Sequence, residues 1–324
     1  MSGTQHVMVI GGGANAEHEV SLGSAAAVRE ALAASGRTVT GLAIRRDGEW
    51  ETLSGERISL AAAIQRMRES DVVFPALHGE GTEDGTFAGL LEIVGVPYVG
   101  SGVRAGALAM DKWAAKLIAT ELGIATAQGV LIDGEQVCGD PAGLPFPVMV
   151  KPVASGSSYG ATRVDSSAEL TAAIEHARTF DDRVLIETFV VGREVDIAVL
   201  RGADGTLHIS QPLEIGKDAD AVFDTALKYD AEPDFVVPAP LTAEEGEAMR
   251  TAARALFVAL GCDGVARVDF FIQGAEIVFN EINTMPGMTQ LSQVPRMFAV
   301  DGVSFPELVA WLVEGALARR TRTS

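Results

Sequence analysis

The sequence has 324 residues, 48% of them apolar and 21% charged, which is enough chain to bury a self-sufficient core and to divide into two or three domains. Its 44 acidic against 25 basic residues give a formal charge of −19. That charge repels nucleic acid and anionic membrane surfaces, so any phosphate ligand must be held by local lysines, backbone N–H groups and metal ions.

Only Cys138 and Cys262 are present, in no metal-type spacing, which argues against a zinc site or a disulfide framework and fits a reducing compartment. The first residues lack the pattern of a signal peptide, and no apolar run approaches the ~20 residues of a membrane span. A cytoplasmic protein is expected. Residues 7–10 predict a short apolar strand running into Gly11-Gly12-Gly13, and the alanine-rich residues 20–35 predict a helix behind that turn. Strands are predicted at 39–44 and 72–77, with helices at 61–69 and 85–94, an alternation that makes parallel α/β the economical fold for residues 1–105. One helix is expected over 105–122. After the Pro/Gly-rich stretch 139–147, strands at 148–151 and 161–164 flank a Gly/Ser loop and mark a small strand-rich module. Beyond Arg183 strands predominate, at 184–187, 195–200 and 207–209; then come a long helix at 243–260, a strand pair within 265–282 and a closing helix at 305–318.

Gly11-x-Gly13-x-x-Ala16, between a strand and a helix, matches the dinucleotide fingerprint, whose glycines admit a pyrophosphate to the helix N-terminus. The ribose-binding acid is missing, and Ile44 is followed by Arg45 and Arg46, which would suit an NADP 2′-phosphate. An NADP-dependent oxidoreductase is therefore one reading, and a plain tight turn is the simpler one.

Two other patterns carry phosphate and metal chemistry. Gly156-Ser157-Ser158-Tyr159-Gly160, just after Lys151, offers several backbone N–H groups and hydroxyls at one place. Arg267-x-Asp269 and Glu281-x-Asn283 each put two polar side chains on one face of a strand, because side chains alternate with period two. Two carboxylates and an amide oxygen are what Mg²⁺ takes from a protein when nucleotide phosphates complete its shell. A surface salt bridge between Arg267 and Glu281 is the plainer explanation, and it gives Asn283 no role. For Asp269 and Glu281 to share a face, the hairpin around Gly274 needs a three-residue loop, which sets Arg267 opposite Glu281, or a bulge with the same effect on register.

The string Asn280-Glu281-Ile282-Asn283-Thr284-Met285-Pro286-Gly287-Met288-Thr289 resembles the signature of D-alanine–D-alanine ligases. The resemblance extends to Gly12-x-x-x-Ala16-Glu17-x-Glu19-Val20-Ser21-Leu22, to Leu77-His78-Gly79 with Glu83-Asp84-Gly85-Thr86, to Tyr98-x-Gly100-Ser101-Gly102 with Ala109-Met110-Asp111-Lys112, and to Lys151-Pro152 with Gly156-Ser157-Ser158. It implies a three-domain ATP-grasp fold: an N-terminal Rossmann-like parallel α/β domain over 1–105, a central domain over 106–188 and a C-terminal domain over 189–324, with ATP between the last two. By the same resemblance, Lys112 and Lys151 contact phosphates, Ser158 and Lys228 belong to the ATP site, Glu187 meets the adenine amino group and Glu194 the ribose hydroxyls. Asp269, Glu281 and Asn283 match the ligands of two Mg²⁺ (or Mn²⁺) ions. Glu17, Ser157 and Tyr229 match a network at the first D-alanine's ammonium, with His78 nearby. Arg267 and the Gly287 N–H match the donors to the reacting carboxyl, and Ser292 the contact with the second substrate's carboxylate.

The implied activity is formation of D-alanyl-D-alanine through an acyl phosphate, for peptidoglycan precursors. A homodimer is expected. Residues 214–229 are the candidate lid. Thr82 in place of a glycine, Tyr159 in place of a small aliphatic residue, and Val222-Phe223-Asp224-Thr225 in place of a more aromatic segment depart from the family. They leave a ligase for another amino acid pair, in secondary metabolism, as the alternative.

Overall fold

The computed structural model describes residues 4–138, 143–216 and 234–323. Strand β1 (His6–Gly12) is an apolar run buried along nearly its whole length, as a central strand covered on both faces must be. It is followed by α1 (His18–Ala34), β2 (Thr38–Ile44), β3 (Trp50–Thr52), β4 (Arg57–Ile58), α2 (Leu60–Arg68) and β5 (Val72–Pro75), which build a sheet of order β4-β3-β2-β1-β5. β1 pairs in parallel with β2 and β5, as the alternation predicts. β3 and β4 add an antiparallel edge that the purely parallel expectation lacks; strands this short carry no readable period-two pattern.

The glycine turn after β1 is used up inside the fold. The Gly13 N–H donates to the Ile44 carbonyl at 2.8 Å and the Gly12 N–H to Ser21 Oγ at 2.8 Å. A Cβ on Gly12, whose φ is +90°, would stand 2.1 Å from the Ile44 oxygen. The end of β2 thus fills the space a pyrophosphate would need, and the dinucleotide reading fails on geometry.

After α3 (Thr86–Val94), the helix expected over 105–122 is two helices, α4 (Val103–Met110) and α5 (Lys112–Glu121). Asp111 between them has ψ 97°, accepts the Ala114 N–H at 2.8 Å and pairs with Arg183 at 2.5 Å. An N-cap aspartate inside an apolar run ends one helix and begins the next. The alanines of α4 and α5, Ala105, Ala109, Ala115 and Ala119, join a core with Phe257, Phe270 and Phe279 further along the chain.

Strands β6 (Ala125–Thr126), β7 (Gly129–Asp133), β8 (Gln136–Cys138), β9 (Val148–Pro152) and β10 (Thr162–Val164), helix α6 (Ser167–Ala177) and strand β11 (Arg183–Thr188) come next. All but β6 belong to an antiparallel sheet of order β10-β9-β11-β7-β8, with its own core of Val130, Val148, Val150, Val164, Val184 and Ile186.

The last part comprises β12 (Arg193–Arg201), β13 (Leu207–Ile209), β14 (Leu213–Gly216), β15 (Asp234–Val236), α7 (Ala243–Leu260), β16 (Val265–Gln273), β17 (Glu276–Asn283), α8 (Gln293–Ala299) and α9 (Phe305–Thr323). Its sheet runs β15-β14-β12-β16-β17-β6, with β13 on β12. The long α7 is delimited by a reciprocal Thr242–Glu245 capping box and by left-handed Gly261. α9 fills the space between the first and last sheets: Leu308 and Leu312 share one core with Val9, Val28 and Leu32 on one side and Leu200 and Leu213 on the other. Among the described residues no helix is long and apolar enough to cross a membrane.

The β16–β17 hairpin has a loop of only Gly274 and Ala275, because Gln273 pairs with Glu276. A bulge follows: Phe270 pairs with Phe279 but Asp269 with Glu281, so Asn280 is extra. The three-residue loop is therefore replaced by its stated equivalent, a bulge, and Arg267 faces Asn283 rather than Glu281. Of the candidate lid, residues 214–216 lie in β14; Val222-Phe223-Asp224-Thr225, Lys228 and Tyr229 lie outside the described residues.

Two glycines of the first sheet unit should respond oppositely to alanine. Gly12→Ala drives a methyl group into backbone and should cost about 2–4 kcal/mol of stability. Gly23, helical within α1 and with nothing within 4 Å of a Cβ, should gain about 0.5–1 kcal/mol as alanine. Urea unfolding midpoints of the two variants against the parent measure both.

Candidate active site

One cleft of about 660 Å³ opens where the three sheets meet. Every predicted site residue that falls among the described ones lines it: Glu17, His78, Lys112, Lys151, Ser157, Ser158, Glu187, Glu194, Arg267, Asp269, Glu281, Asn283, Gly287 and Ser292.

Its acidic wall is built on β12, β16 and β17. Asp269 sits directly across from Glu281 on one side and from Asp196 on the other. Arg267 forks onto Asp269, with Nε donating to Oδ1 at 2.6 Å and Nη2 to Oδ2 at 2.7 Å, and its Nε lies 3.5 Å from Asp196. Burial alone would lower the guanidinium pKa, but Asp269, Asp196 and Glu281 outweigh it and raise it. For Asp269 burial raises the carboxyl pKa; Arg267 pulls it down, Glu281 and Glu194 push it up again, and the balance is a rise. The carboxylates outnumber the cations beside them, so the wall favours an added positive charge. Glu281 lies 3.3 Å from Lys112. Asn283 Oδ1 accepts the Met285 N–H at 2.8 Å and so anchors the turn that carries Gly287. Ser292, at the N-terminus of α8, accepts the Thr289 N–H at 3.0 Å.

The basic wall comes from α5, β9 and β11. Glu187, almost fully buried, lies between two lysines: Lys151 Nζ is 2.5 Å from Oε1 and Lys116 Nζ 3.0 Å from Oε2. Burial would raise the Glu187 pKa, yet the two ammonium groups bring it below its ordinary value. Lys116 is lowered, by burial above all. Each carboxylate oxygen of Glu187 thus faces one lysine, and an oxygen with two lone pairs can accept more than one donor. Lys112 Nζ donates to the Ser155 carbonyl at 2.6 Å, beside the Gly/Ser loop. In that loop Ser157 and Ser158 have φ of 48° and 57°, a left-handed conformation that costs about 1–3 kcal/mol each in non-glycine residues and concentrates at ligand clamps. Ser157 Oγ donates to Glu17, bringing the middle sheet onto the start of α1. Tyr159 stacks on Phe180 with centroids 6.3 Å apart. Met149, Phe189, Val190 and Phe271 supply apolar lining beside Glu187 and Glu194.

Several cleft residues escaped the sequence reading. Asp196, only 1% exposed, receives the Gln293 amide at 2.9 Å; Glu194-x-Asp196 has the same i, i+2 spacing as Arg267-x-Asp269 and is its missed signal. Lys116 stands one helical turn beyond Lys112, the spacing that puts two side chains on one face. Ser24, behind the cleft, has no such local signal, since its partners His78 and Met288 lie far along the chain.

This geometry has close parallels. Models of the D-ala D-ala ligase C-terminus and N-terminus match residues 122–314 and 54–101. A D-alanine–D-alanine ligase from Mycolicibacterium gilvum is 39% identical over 99% of both chains, and one from Streptomyces coelicolor 38% identical over 97% of this chain and 94% of its own. Among solved structures, the VanG D-Ala:D-Ser ligase from Enterococcus faecalis superposes with a TM-score of 0.85 at 34% identity, covering 97% of this chain and 99% of its own. The D-alanine–D-alanine ligase from Bacillus anthracis complexed with ATP gives 0.83 at 26%, covering 99% and 100%. By sequence, family model and fold, the chain belongs to the D-alanine–D-alanine ligase family.

Proposed function

We propose that this chain is an ATP-dependent D-alanine–D-alanine ligase, working in the cytoplasm on peptidoglycan precursors as a homodimer of three-domain subunits divided near residues 105 and 188. The observation that carries the reading is the meeting, in one cleft, of the Glu17–Ser157 contact, the Lys116–Glu187–Lys151 cluster and the Arg267–Asp269–Glu281 wall.

A carboxylate resists attack by an amine until its oxygen becomes a good leaving group, so the γ-phosphoryl of ATP is first transferred to it. In this reading Glu187 accepts from the adenine amino group and Glu194 from the ribose; Lys112, Lys151 and the 156–160 loop receive the phosphates. Glu17 binds the ammonium of the first D-alanine, with Tyr229 completing its network with Ser157. The carboxyl of that D-alanine lies toward Arg267 and the Gly287 N–H. Because Asp269 and Asp196 already hold Arg267, it need not reorganise when the tetrahedral oxyanion forms, which is where such a donor acts most strongly. The second D-alanine, its carboxylate at Ser292, attacks through its amine. Two acids on facing strands, one amide oxygen and a surplus of negative charge fit a divalent cation. Three protein oxygens leave coordination positions for phosphate oxygens and water. Asp269, Glu281 and Asn283 would hold the two Mg²⁺ ions, whose charge offsets that of the phosphoryl group.

The test supplies MgATP with single D- and L-amino acids and reads phosphate release and product mass. D-alanine should give the dipeptide, with thermal stabilisation by MgATP and none by NADPH. Stabilisation by NADPH alone would sink the ligase reading. The departure at Tyr159, which stacks on Phe180, points to the second reading, a ligase for another amino acid pair, and turnover with another D-amino acid above that with D-alanine would favour it.

The first-substrate pocket also holds an acid that burial keeps largely protonated near neutral pH. Glu83 accepts the Gly79 N–H at 2.9 Å. Burial first, then the neighbouring Glu17, push its carboxyl up to about 8, against the N–H and Arg267, which pull it down. A carboxyl whose folded pKa lies above the ordinary 4.5 contributes stability that is full below 4.5 and is lost as pH rises toward 8. Because the cleft wets part of the side chain, about half of the limiting ~1.4 kcal/mol per pH unit is expected. Urea midpoints between pH 5 and 8.5 should fall for the parent and fall less for Glu83→Gln, which needs no proton to stay neutral; parallel curves would contradict a protonated Glu83.

A further inference from the structure

We propose that Ser24 is a positioning residue for the ligation: through His78 it clamps both ends of the turn that presents the Gly287 N–H. The inference rests on the ligase reading of the cleft and adds to it a residue on α1 whose side chain sits behind the turn.

Ser24 is fully buried and His78 nearly so. Ser24 Oγ accepts the Met288 N–H at 3.2 Å and lies 3.0 Å from His78 Nε2; on the other side of the ring, Nδ1 lies 2.9 Å from the Met285 carbonyl. The proton positions follow from these partners. A carbonyl oxygen only accepts, so Nδ1 carries a proton. Burial lowers the imidazole pKa, against the nearby Glu17 and the Met285 hydrogen bond, which raise it. The ring is therefore neutral, and Nε2 is an acceptor. The Ser24 hydroxyl must then donate to it while its oxygen accepts from Met288. One directed chain results, from the Met288 N–H through Ser24 and His78 to the Met285 carbonyl.

That chain closes over Pro286 and Gly287. The turn is held at residue 285 by His78 and by Asn283 Oδ1, and at residue 288 by Ser24, so the Gly287 N–H between them has little freedom to rotate. An oxyanion donor contributes most when its direction is fixed before charge develops. Both His78 ring nitrogens are occupied in this chain, which makes His78 a strut between the first sheet and the last. Among the described residues Ser24 is the link from that strut back to Met288, and with alanine the Met288 N–H and His78 Nε2 both lose a buried partner.

The experiment uses the full-length protein with MgATP and D-alanine. Ser24→Ala should lower kcat about 10- to 100-fold with the KM for ATP unchanged within about twofold. Ser24→Cys keeps a weaker donor in the same place and should recover part of the loss. The decisive measurement is the double variant. If Ser24 and His78 act as one chain, Ser24→Ala combined with His78→Ala should lose less kcat than the product of the two single losses. Losses that multiply, a Ser24→Ala kcat within twofold of the parent, or a Ser24→Cys kcat no better than that of Ser24→Ala, overturn the proposal. A parent enzyme with no D-alanine-dependent phosphate release would instead overturn the ligase reading on which it rests.

Discussion

With a two-residue loop at Gly274 and Ala275 and regular pairing onward, Asp269 would face Asn280, and Glu281 would point to the far side of the sheet. The extra residue at Asn280 reverses this, because one inserted residue exchanges the faces of everything beyond it. On one side of the bulge Phe270 and Phe279 pack edge to face in the core; on the other Asp269, Glu281 and Asn283 turn to the cleft. The same strand therefore anchors the sheet and arms the site. The displaced Asn280 is itself used, since its Oδ1 lies 3.4 Å from Lys151 Nζ and ties the acidic wall to the basic one.

A chain with a formal charge of −19 must concentrate its few cations if it is to handle a nucleotide. Lys112 and Lys116 sit one turn apart on α5, and Lys151 comes from the middle sheet to meet Lys116 at Glu187. Buried lysines are tolerated only with a counter-charge, and Glu187 supplies it to both. The acidic wall has the opposite arrangement, several carboxylates around Arg267. Neither wall is neutral on its own, and the charges each would gain from a metal nucleotide are those it lacks.

The elements that repeat a period over ten or more residues, such as α1, α7 and α9, were legible in the sequence, and so was the alternation of the first sheet. What failed was short or broken. β3 and β4 are too brief to show a pattern, and Asp111 hides as one polar residue in an apolar run until its cap is seen. The site was legible wherever its residues fall two apart on a strand or within a contiguous motif. It was not where the relation crosses the sheet: the true partner of Arg267 across β16–β17 is Asn283, and Ser24 gains its meaning only from Met288, far along the chain. Register and tertiary contact, not composition, decide such pairs.

The glycine turn that suggests a dinucleotide shows how a fold keeps its local physics while reversing the charge it favours. At the start of a helix after a parallel strand, free N–H groups and the helix dipole favour negative charge. Here the N–H groups of Gly12 and Gly13 are taken by Ser21 and Ile44, so no phosphate can use them. The negative charge is instead covalent, because Glu17 occupies the N-cap position of α1. A carboxylate favoured by the helix end in turn favours a cation beyond it, and the Gly/Ser loop reaches across from the middle sheet to touch it through Ser157. A position that elsewhere receives an anion thereby favours a cation, with the same strand, turn and helix and one acidic side chain changing the sign.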